Sequence, residues 1–180
     1  MHSEQRESDA DRGDVVLQHE DFVVKEMRLS WEKLAQLWAT ISKFRTLFSD
    51  LTNGDIDNFL RFITTGHSIW LEVYEKGALV GIVSLTNMEK VVDTDAHVIF
   101  FDKDLTDKVE ICRLITKWTF KKFPLQRITV EVPYFYYSTL RLVRGIGFRD
   151  EGEKRNAVLI RGRWANVYIL GITRQEAAAL

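Results

Sequence analysis

The side chains best suited to proton transfer lie in two short segments of the chain. His97 falls in a predicted strand at residues 95–101, and histidine is the side chain whose ordinary pKa lies nearest neutrality. The hydroxyls of Tyr137 and Ser138 follow a second predicted strand, residues 127–132, where it meets a helix. A histidine and a hydroxyl can together remove a proton from one reactant and return one to another. Strand histidines and aromatic clusters are also common packing features, so both interpretations stay open.

The composition argues against several other chemistries. The chain has 180 residues and one cysteine, Cys112, which has no partner for an internal disulfide and no metal-ligand spacing around it. We therefore predict a structural thiol in a helix and no metal site. No apolar run approaches the roughly 20 residues that a membrane-spanning helix needs. Residues 1–13 are polar and charged, which predicts a disordered tail before a single domain at 14–180, in a cytoplasmic protein.

The net charge of −1 hides an asymmetry along the chain. Residues 1–102 carry 10 basic and 18 acidic side chains, whereas residues 103–180 carry 15 and 8. A basic C-terminal half suits a phosphorylated ligand or nucleic acid. The two halves can equally attract each other within one domain, and composition does not choose between these readings.

The hydrophobic periodicity predicts alternating strands and helices. A first strand is predicted at residues 21–29. Ser30 is a suitable cap for a helix with an apolar stripe, and a second helix follows the turn at 53–55. Two strands, 68–74 and 78–85, should form a hairpin. The stripe of the first helix consists of Trp31, Leu34, Leu37, Trp38 and Ile41.

The second half of the chain predicts a crossover. A helix at residues 106–123 separates the strand at 95–101 from the strand at 127–132, which implies a parallel pair inside a mixed sheet. A short helix follows, and two closing strands are predicted at about 153–160 and 166–172. The fold class is therefore α/β, in the α+β sense of helices around one mixed sheet.

The stretch at residues 127–152, RITVEVPYFYYSTLRLVRGIGFRDEG, resembles the last third of a GNAT N-acetyltransferase. The segments ALVGIV, KWTF and GRWANVY at 78–83, 117–120 and 162–168 are similar to the branch that acetylates N-terminal amines of ribosomal proteins and other small amines. The resemblance covers residues 21–174. It implies a mostly antiparallel twisted sheet of about six to seven strands with about four helices, and transfer of an acetyl group from acetyl-CoA to a primary amine.

The resemblance also implies roles for particular residues. His97 matches the position of a catalytic base, with Glu72 and Asp95 as alternatives, and Ser138 or Tyr137 would be the acid. The residues implied in acetyl-CoA binding are Phe100 and Phe101 for the pantetheine, Leu105, Thr106, Asp107, Lys108 and Val109 for the pyrophosphate, and Arg141 or Arg144 for the 3′-phosphate. No metal is implied.

Four positions depart from the family pattern. Asp104 and Thr106 replace two glycines of the pyrophosphate-binding loop, which gives the backbone less room to approach a phosphate. Phe135 stands where the family has Asn, and Val143 where many members have a catalytic Tyr. The loop residues would serve equally as a cap and first turn of the following helix.

These departures keep two alternative functions open. One is a protein of the same fold that has lost catalysis and acts as a binding or assembly module. The other is an acyltransferase that modifies nucleic acid through the basic half of the chain. Exposed edge strands make a homodimer a further prediction. The tryptophans that would line an acceptor site, or else pack in the core, are Trp31, Trp38, Trp70 and Trp164.

Overall fold

The structure, a computed structural model, describes residues 13–43, 54–64, 68–88, 92–101, 105–160 and 162–180. These residues form eight strands and five helices. In chain order they are β1 (Val15–His19), β2 (Phe22–Glu26), α1 (Trp31–Ile41), α2 (Ile56–Thr64), β3 (Ile69–Glu75), β4 (Ala78–Thr86), β5 (Asp95–Phe100), α3 (Lys108–Lys122), β6 (Arg127–Pro133), α4 (Tyr137–Ile146), β7 (Arg149–Ile160), β8 (Arg163–Thr173) and α5 (Arg174–Ala177).

All eight strands belong to one sheet in the order β1-β2-β3-β4-β5-β6-β8-β7. Every neighbouring pair is antiparallel except β5 and β6, which are parallel because α3 crosses between them. The predicted mixed, mostly antiparallel sheet is confirmed. The predicted strand count was too low, since residues 15–19 form a hairpin with β2. The turn of this hairpin contains neither glycine nor proline. Glu20 adopts the positive φ, 49°, that a glycine usually supplies.

The two faces of the sheet have separate cores. We call the face under α1 and α2 the front face, where Trp70 and Ile82 pack against Leu34, Leu37 and Phe59. The back face lies under α3 and α4. Its apolar residues come from nearly every strand and include Val24, Leu71, Val83, Val130 and Leu170, which pack with Ile111, Ile115, Leu140 and Val143 of the two helices.

Local signals explain where the front helices begin. Ser30 caps α1 as predicted, because its Oγ accepts a hydrogen bond of 3.1 Å from the Lys33 N–H. The carboxylate of Asp55 accepts N–H groups of the first turn of α2 in the same way. Trp31 belongs to the apolar stripe but lies at the first position of α1, where the residue is 75% exposed.

The helix α3 lies across the back face and contributes to both back-face clusters. Its thiol, Cys112, is buried, and burial raises the pKa of this group to about 12. The thiolate needed for nucleophilic chemistry is therefore scarce at neutral pH. This agrees with a structural role for Cys112.

The predicted tail at residues 1–13 lies outside the described residues except for Gly13. The closing strands are longer than predicted, since β7 begins at Arg149 and β8 at Arg163. The polar residues that fill much of β7 carry little strand signal, and pairing with β8 decides their conformation. Among the described residues, no helix is long and apolar enough to cross a membrane.

Candidate active site at the splayed strands

The parallel strands β5 and β6 pair at one point and then separate. Asp95 of β5 pairs with Thr129 of β6. The Thr129 N–H donates a hydrogen bond to the Thr94 carbonyl at 2.9 Å. Before it, Val92 O accepts the N–H groups of Gln126 and Arg127 at 2.8 and 3.2 Å. No strand pairing follows beyond Thr129 in the described parts of β5 and β6. The backbone groups of β5 that point toward β6 are thus available to a ligand.

A polar cluster fixes the closed end of this gap. Thr129 Oγ1 donates to the Asp93 carboxylate, at 3.1 and 2.9 Å from its two oxygens, and Arg127 Nε lies 3.5 Å from the same group. Arg127 also pairs with Glu151 of β7. A β-carbon on Gly171 would lie 2.5 Å from both Arg127 Nη2 and Glu151 Oε1, so glycine lets this ion pair lie over β8. The cluster ties β6 both to β7 and to the chain entering β5.

Behind the gap, on the back face, lies an apolar cavity of about 50 Å³. Its walls come from β4, β5, β6, α3 and α4. The lining side chains are almost wholly apolar and include Leu85, Val98, Ile115, Val130, Val143 and Phe148. An apolar ligand segment that enters between the strands would therefore be shielded from water here.

The ring of His97 lies on the opposite, front face of β5, although the residue also borders the cavity. It is partly buried, and its ring meets that of Phe62 from α2 edge to face at 5.5 Å between centroids. Burial lowers the pKa of His97, while the negative charges of Asp95 and Glu131 act in the opposite sense. His97 is thus mainly neutral at pH 7, the form that can accept a proton.

The structure adds Glu131, which the sequence reasoning missed. His97 is two residues beyond Asp95 and Glu131 two beyond Thr129, so alternation places both side chains on the front face, on opposite sides of the gap. Glu131 forms an ion pair with Lys154 of β7. The signal in the sequence was a single charged residue between the buried Val130 and Val132.

Tyr137 and Ser138 are the first two residues of α4, directly after β6. Both are exposed, Tyr137 to 69% of its surface. The carboxyl ends of β5 and β6 point to the same end of the sheet because the strands are parallel. The described contacts do not join either hydroxyl to His97, so the acid role of both residues stays a prediction.

The predicted pantetheine residues Phe100 and Phe101 lie at and just beyond the end of β5. The Phe100 ring lies over Gly81, where a β-carbon would come within 2.7 Å of it. The Phe101 N–H donates to the Val80 carbonyl at 2.8 Å, so this group bonds to β4 rather than facing the gap. Residues 102–104, which include Asp104, lie outside the described residues.

The predicted pyrophosphate residues surround the start of α3. Leu105 is buried in the back-face core, and Val109 packs against Gly145 of α4. Asp107 occupies the cap position with a φ of 56°, and its side chain makes no capping hydrogen bond. The cap residue itself therefore does not satisfy the first N–H groups of the helix, which are the groups that bind phosphate at a helix N-terminus. The Lys108 ammonium lies 6.0 Å from the Phe100 ring centroid.

The two arginines of α4 differ. Arg144 forms two hydrogen bonds with Asp150, from Nε at 3.0 Å and from Nη2 at 2.8 Å. This interaction raises the pKa of Arg144 and lowers the pKa of the Asp150 carboxyl. Arg141 is exposed and has no ion pair with any described residue. Arg141 is therefore the better placed of the two to bind a ligand phosphate.

The alternative bases are less suitable than His97. Glu72 is buried on the front face, and its carboxylate is already occupied by an ion pair with Lys33 of α1 at 2.9 Å. Asp95 accepts a hydrogen bond from Asn87. Of the four tryptophans, Trp70 is a core residue at 2% exposure, whereas Trp31 and Trp164 are exposed. Among the residues that the structure describes, no group of three or more His, Cys, Asp or Glu side chains could hold a metal ion.

Comparisons with known proteins agree with this geometry. A family model of the acetyltransferase (GNAT) domain matches residues 35–169. A spermidine N-acetyltransferase from Vibrio cholerae, solved with CoA and spermine, has a TM-score of 0.75 at 15% identity, covering 89% of this chain and 99% of that one. A ribosomal-protein-S5-alanine acetyltransferase from Vibrio fischeri has a TM-score of 0.67 at 16% identity, with 91% and 98% coverage. At such identities the likeness shows the fold alone. Among proteins with curated functions, none matches the chain significantly.

Proposed function

Because the chain belongs to the GNAT acetyltransferase family, we propose that it transfers an acetyl group from acetyl-CoA to a primary amine. The observation that carries the proposal is the gap between β5 and β6. An apolar cavity lies behind the gap, and His97 and Glu131 lie on the two sides of its front opening. An acyl thioester held in the gap would meet an amine that arrives from the front.

His97 is the proposed base. An amine is mainly an ammonium ion at neutral pH and cannot attack a carbonyl until it loses a proton. The neutral His97 ring accepts that proton, directly or through one water molecule. The amine nitrogen then bonds to the acetyl carbon, the bond from that carbon to sulfur breaks, and the nitrogen loses its second proton to the oxygen left when the acid protonates the thiolate. The reaction needs no covalent enzyme intermediate.

Tyr137 or Ser138 is the proposed acid. The thiolate that leaves in the last step requires a proton or a strong hydrogen-bond donor, and a hydroxyl supplies either. Both side chains are exposed where α4 follows β6. The family's usual tyrosine position on this helix is Val143, a buried residue of the back-face core, so the hydroxyls at the start of the helix take its place in this proposal.

The chain offers suitable partners for acetyl-CoA, which supplies the activated acetyl group. The backbone from Ala96 to Phe100 faces the gap, and the first turn of α3 with Lys108 provides donors and positive charge for a pyrophosphate. Arg141 would bind the 3′-phosphate. The exposed Asp107 acts against anion binding, so we expect weaker affinity than a glycine-rich loop would give.

The charges around His97 favour a cationic acceptor. Asp95 and Glu131 both place negative charge near its ring, and an approaching ammonium group would be attracted by them. The names of two structural neighbours include the polyamine spermidine and an alanine of ribosomal protein S5 as acceptors. We infer an acceptor of this class, a polyamine or a peptide N-terminus.

Calorimetric titration of acetyl-CoA and of free CoA into the purified protein tests the cofactor first. Binding of both, weakened by Arg141→Ala and unchanged by Arg144→Ala, would support the proposed site. A thiol-release assay with spermidine and with alanine-terminated peptides then tests transfer. Absence of both heat and thermal stabilisation at millimolar acetyl-CoA would overturn the proposal and favour the non-catalytic alternative.

A further inference from the structure

Ser84 on β4 is buried and has no hydrogen-bond partner for its side-chain oxygen among the described residues. The residue is 1% exposed. A buried hydroxyl without a partner loses its hydration and gains no bond in return, so such groups are uncommon in folded proteins. Alanine would fill similar space without a buried polar group, so packing alone does not account for a serine at this position.

The register places Ser84 directly beside His97. On the front face, Ser84 pairs with Trp70 of β3 on one side and with His97 of β5 on the other. Side chains directly opposite in an antiparallel pair have β-carbons about 4.5–5.5 Å apart. The Ser84 hydroxyl is thus within reach of the His97 ring after a change between staggered side-chain conformations.

Phe62 covers this pair from α2. Its ring contacts both Trp70 and His97 edge to face, each at 5.5 Å between centroids and an interplanar angle of 88°. Ser84 lies between those two residues in the sheet, so Phe62 passes over it and keeps water away. Apart from the backbone, the Ser84 hydroxyl is the polar group that β4 presents to His97 at this point.

A protonated His97 would need such a group. When its ring accepts a proton from an amine, the ring becomes an imidazolium with two N–H donors. One N–H carries the transferred proton and faces the cleft. The other points into a site shielded by aromatic rings, where an unpaired charged donor is costly.

We propose that Ser84 Oγ accepts a hydrogen bond from the second N–H of the His97 imidazolium and so acts as a positioning residue for acetyl transfer. The catalytic purpose rests on the proposed function, whereas the contact itself does not. The neutral His97 ring that can accept a proton at its cleft-facing nitrogen already carries this N–H on its other nitrogen, so the bond favours that tautomer and strengthens when the ring becomes charged. The strengthening stabilises the state that follows proton transfer.

The test compares Ser84→Ala with Ser84→Thr, which keeps the hydroxyl, and with Ser68→Ala as the matched control. Ser68 Oγ accepts a hydrogen bond of 3.1 Å from Trp70 Nε1 and has no register contact with His97. Histidine ring signals are followed by ¹⁵N NMR as the pH is varied, with His97→Gln to assign them. The other charged groups near the ring, Asp95 and the Glu131–Lys154 pair, stay unchanged in every variant.

We expect Ser84→Ala to lower the titration midpoint of His97 by about one pH unit, since a hydrogen bond to a charged group is lost. The turnover number kcat should fall about tenfold with KM for acetyl-CoA unchanged. Ser84→Thr should restore much of both values. The melting temperature of Ser84→Ala should stay equal or rise, because the variant removes an unpaired hydroxyl.

An unchanged His97 titration in Ser84→Ala would overturn the proposed contact. An equal shift in Ser68→Ala would do the same, because it would attribute the effect to Trp70 packing. If the unsubstituted protein transfers no acetyl group at all, the proposed function fails, and the NMR titration still decides whether the contact exists.

Discussion

The two faces of the splayed strands differ sharply in what they bury. The front face holds polar groups under α1 and α2, among them His97, Ser84 and the ion pair between Lys33 and Glu72. The back face, on the same strands, holds an apolar cavity beneath α3 and α4, with Cys112 on its wall. Successive residues of one strand thus serve two different environments.

This difference suggests that each face has its own role in the proposed reaction. A thioester needs a dry, apolar channel, which the back face supplies, whereas proton transfer from an amine needs titratable groups, which the front face supplies. The gap between β5 and β6 connects the two. Substitutions on one face should therefore change its own chemistry and leave the other face intact.

The largest expected effect is that of His97→Gln. Loss of a general base typically lowers kcat by about 10²- to 10⁴-fold, and the back face should still bind acetyl-CoA with unchanged affinity. His19→Gln, at the end of the outer strand β1, is the matched control and should leave kcat unchanged. Steady-state kinetics together with calorimetry measure both quantities. Loss of acetyl-CoA binding in His97→Gln would show that the two faces are not separate.

Lys33→Met should strongly destabilise the front face. It leaves the buried Glu72 carboxylate without its cation, and breaking a buried pair in this way costs about 3–5 kcal/mol. Chemical denaturation gives the free energy of unfolding. Lys76→Met is the control, because its pair with Asp21 is exposed, with atoms 3.5 Å apart, and should contribute at most about 1 kcal/mol. Equal losses in the two variants would contradict the burial argument.

Val143→Phe should affect the back face alone. The larger ring fills the cavity, and overpacking typically costs about 1–3 kcal/mol of stability. Acetyl-CoA binding should weaken at least about tenfold, while the NMR titration of His97 stays as in the unsubstituted protein. Leu140→Met, on the same helix and outside the cavity lining, is the control for volume-conserving change. A shifted His97 titration would show that the faces are coupled.

The smallest effect concerns pH. Burial lowers the pKa of His97, so the unfolded chain binds more protons than the folded one below pH about 6.5. The stability that this residue contributes is therefore present above pH 6.5 and lost as pH falls toward the folded pKa. The value of kcat/KM should rise with pH through that same lowered pKa. His97→Gln should remove both dependences, and retention of either would assign it to another group.

Local patterns in the sequence account for much of the fold. Capping preferences predict the serine at the start of α1, and turn residues predict the hairpin around Gly77. Hydrophobic periodicity predicts the helix α3. Each of these signals acts over a few residues. The β1–β2 hairpin was missed because Glu20 adopts a positive φ without a glycine to indicate it. The periodicity marked the apolar face of α1 but did not tell how much of that face is covered, and Trp31 at its start is exposed.

The site was predicted less completely than the fold. His97 could be selected from its residue type and strand, and the structure places it beside the gap. Glu131 and Ser84 could not be selected from the sequence, because their importance depends on which residues face them on the neighbouring strands. Arg141 and Arg144 could not be told apart either, because only folding brings Asp150 to Arg144.

The sequence by itself determined the order of strands and helices, the parallel crossover at α3 and the family to which the chain belongs, because these depend on residue type and spacing along the chain. Only the tertiary structure decided where β5 and β6 part, which face each polar side chain occupies and which charges are already paired. These depend on contacts between residues far apart in the chain, where small differences in packing and hydrogen bonding select one register over another.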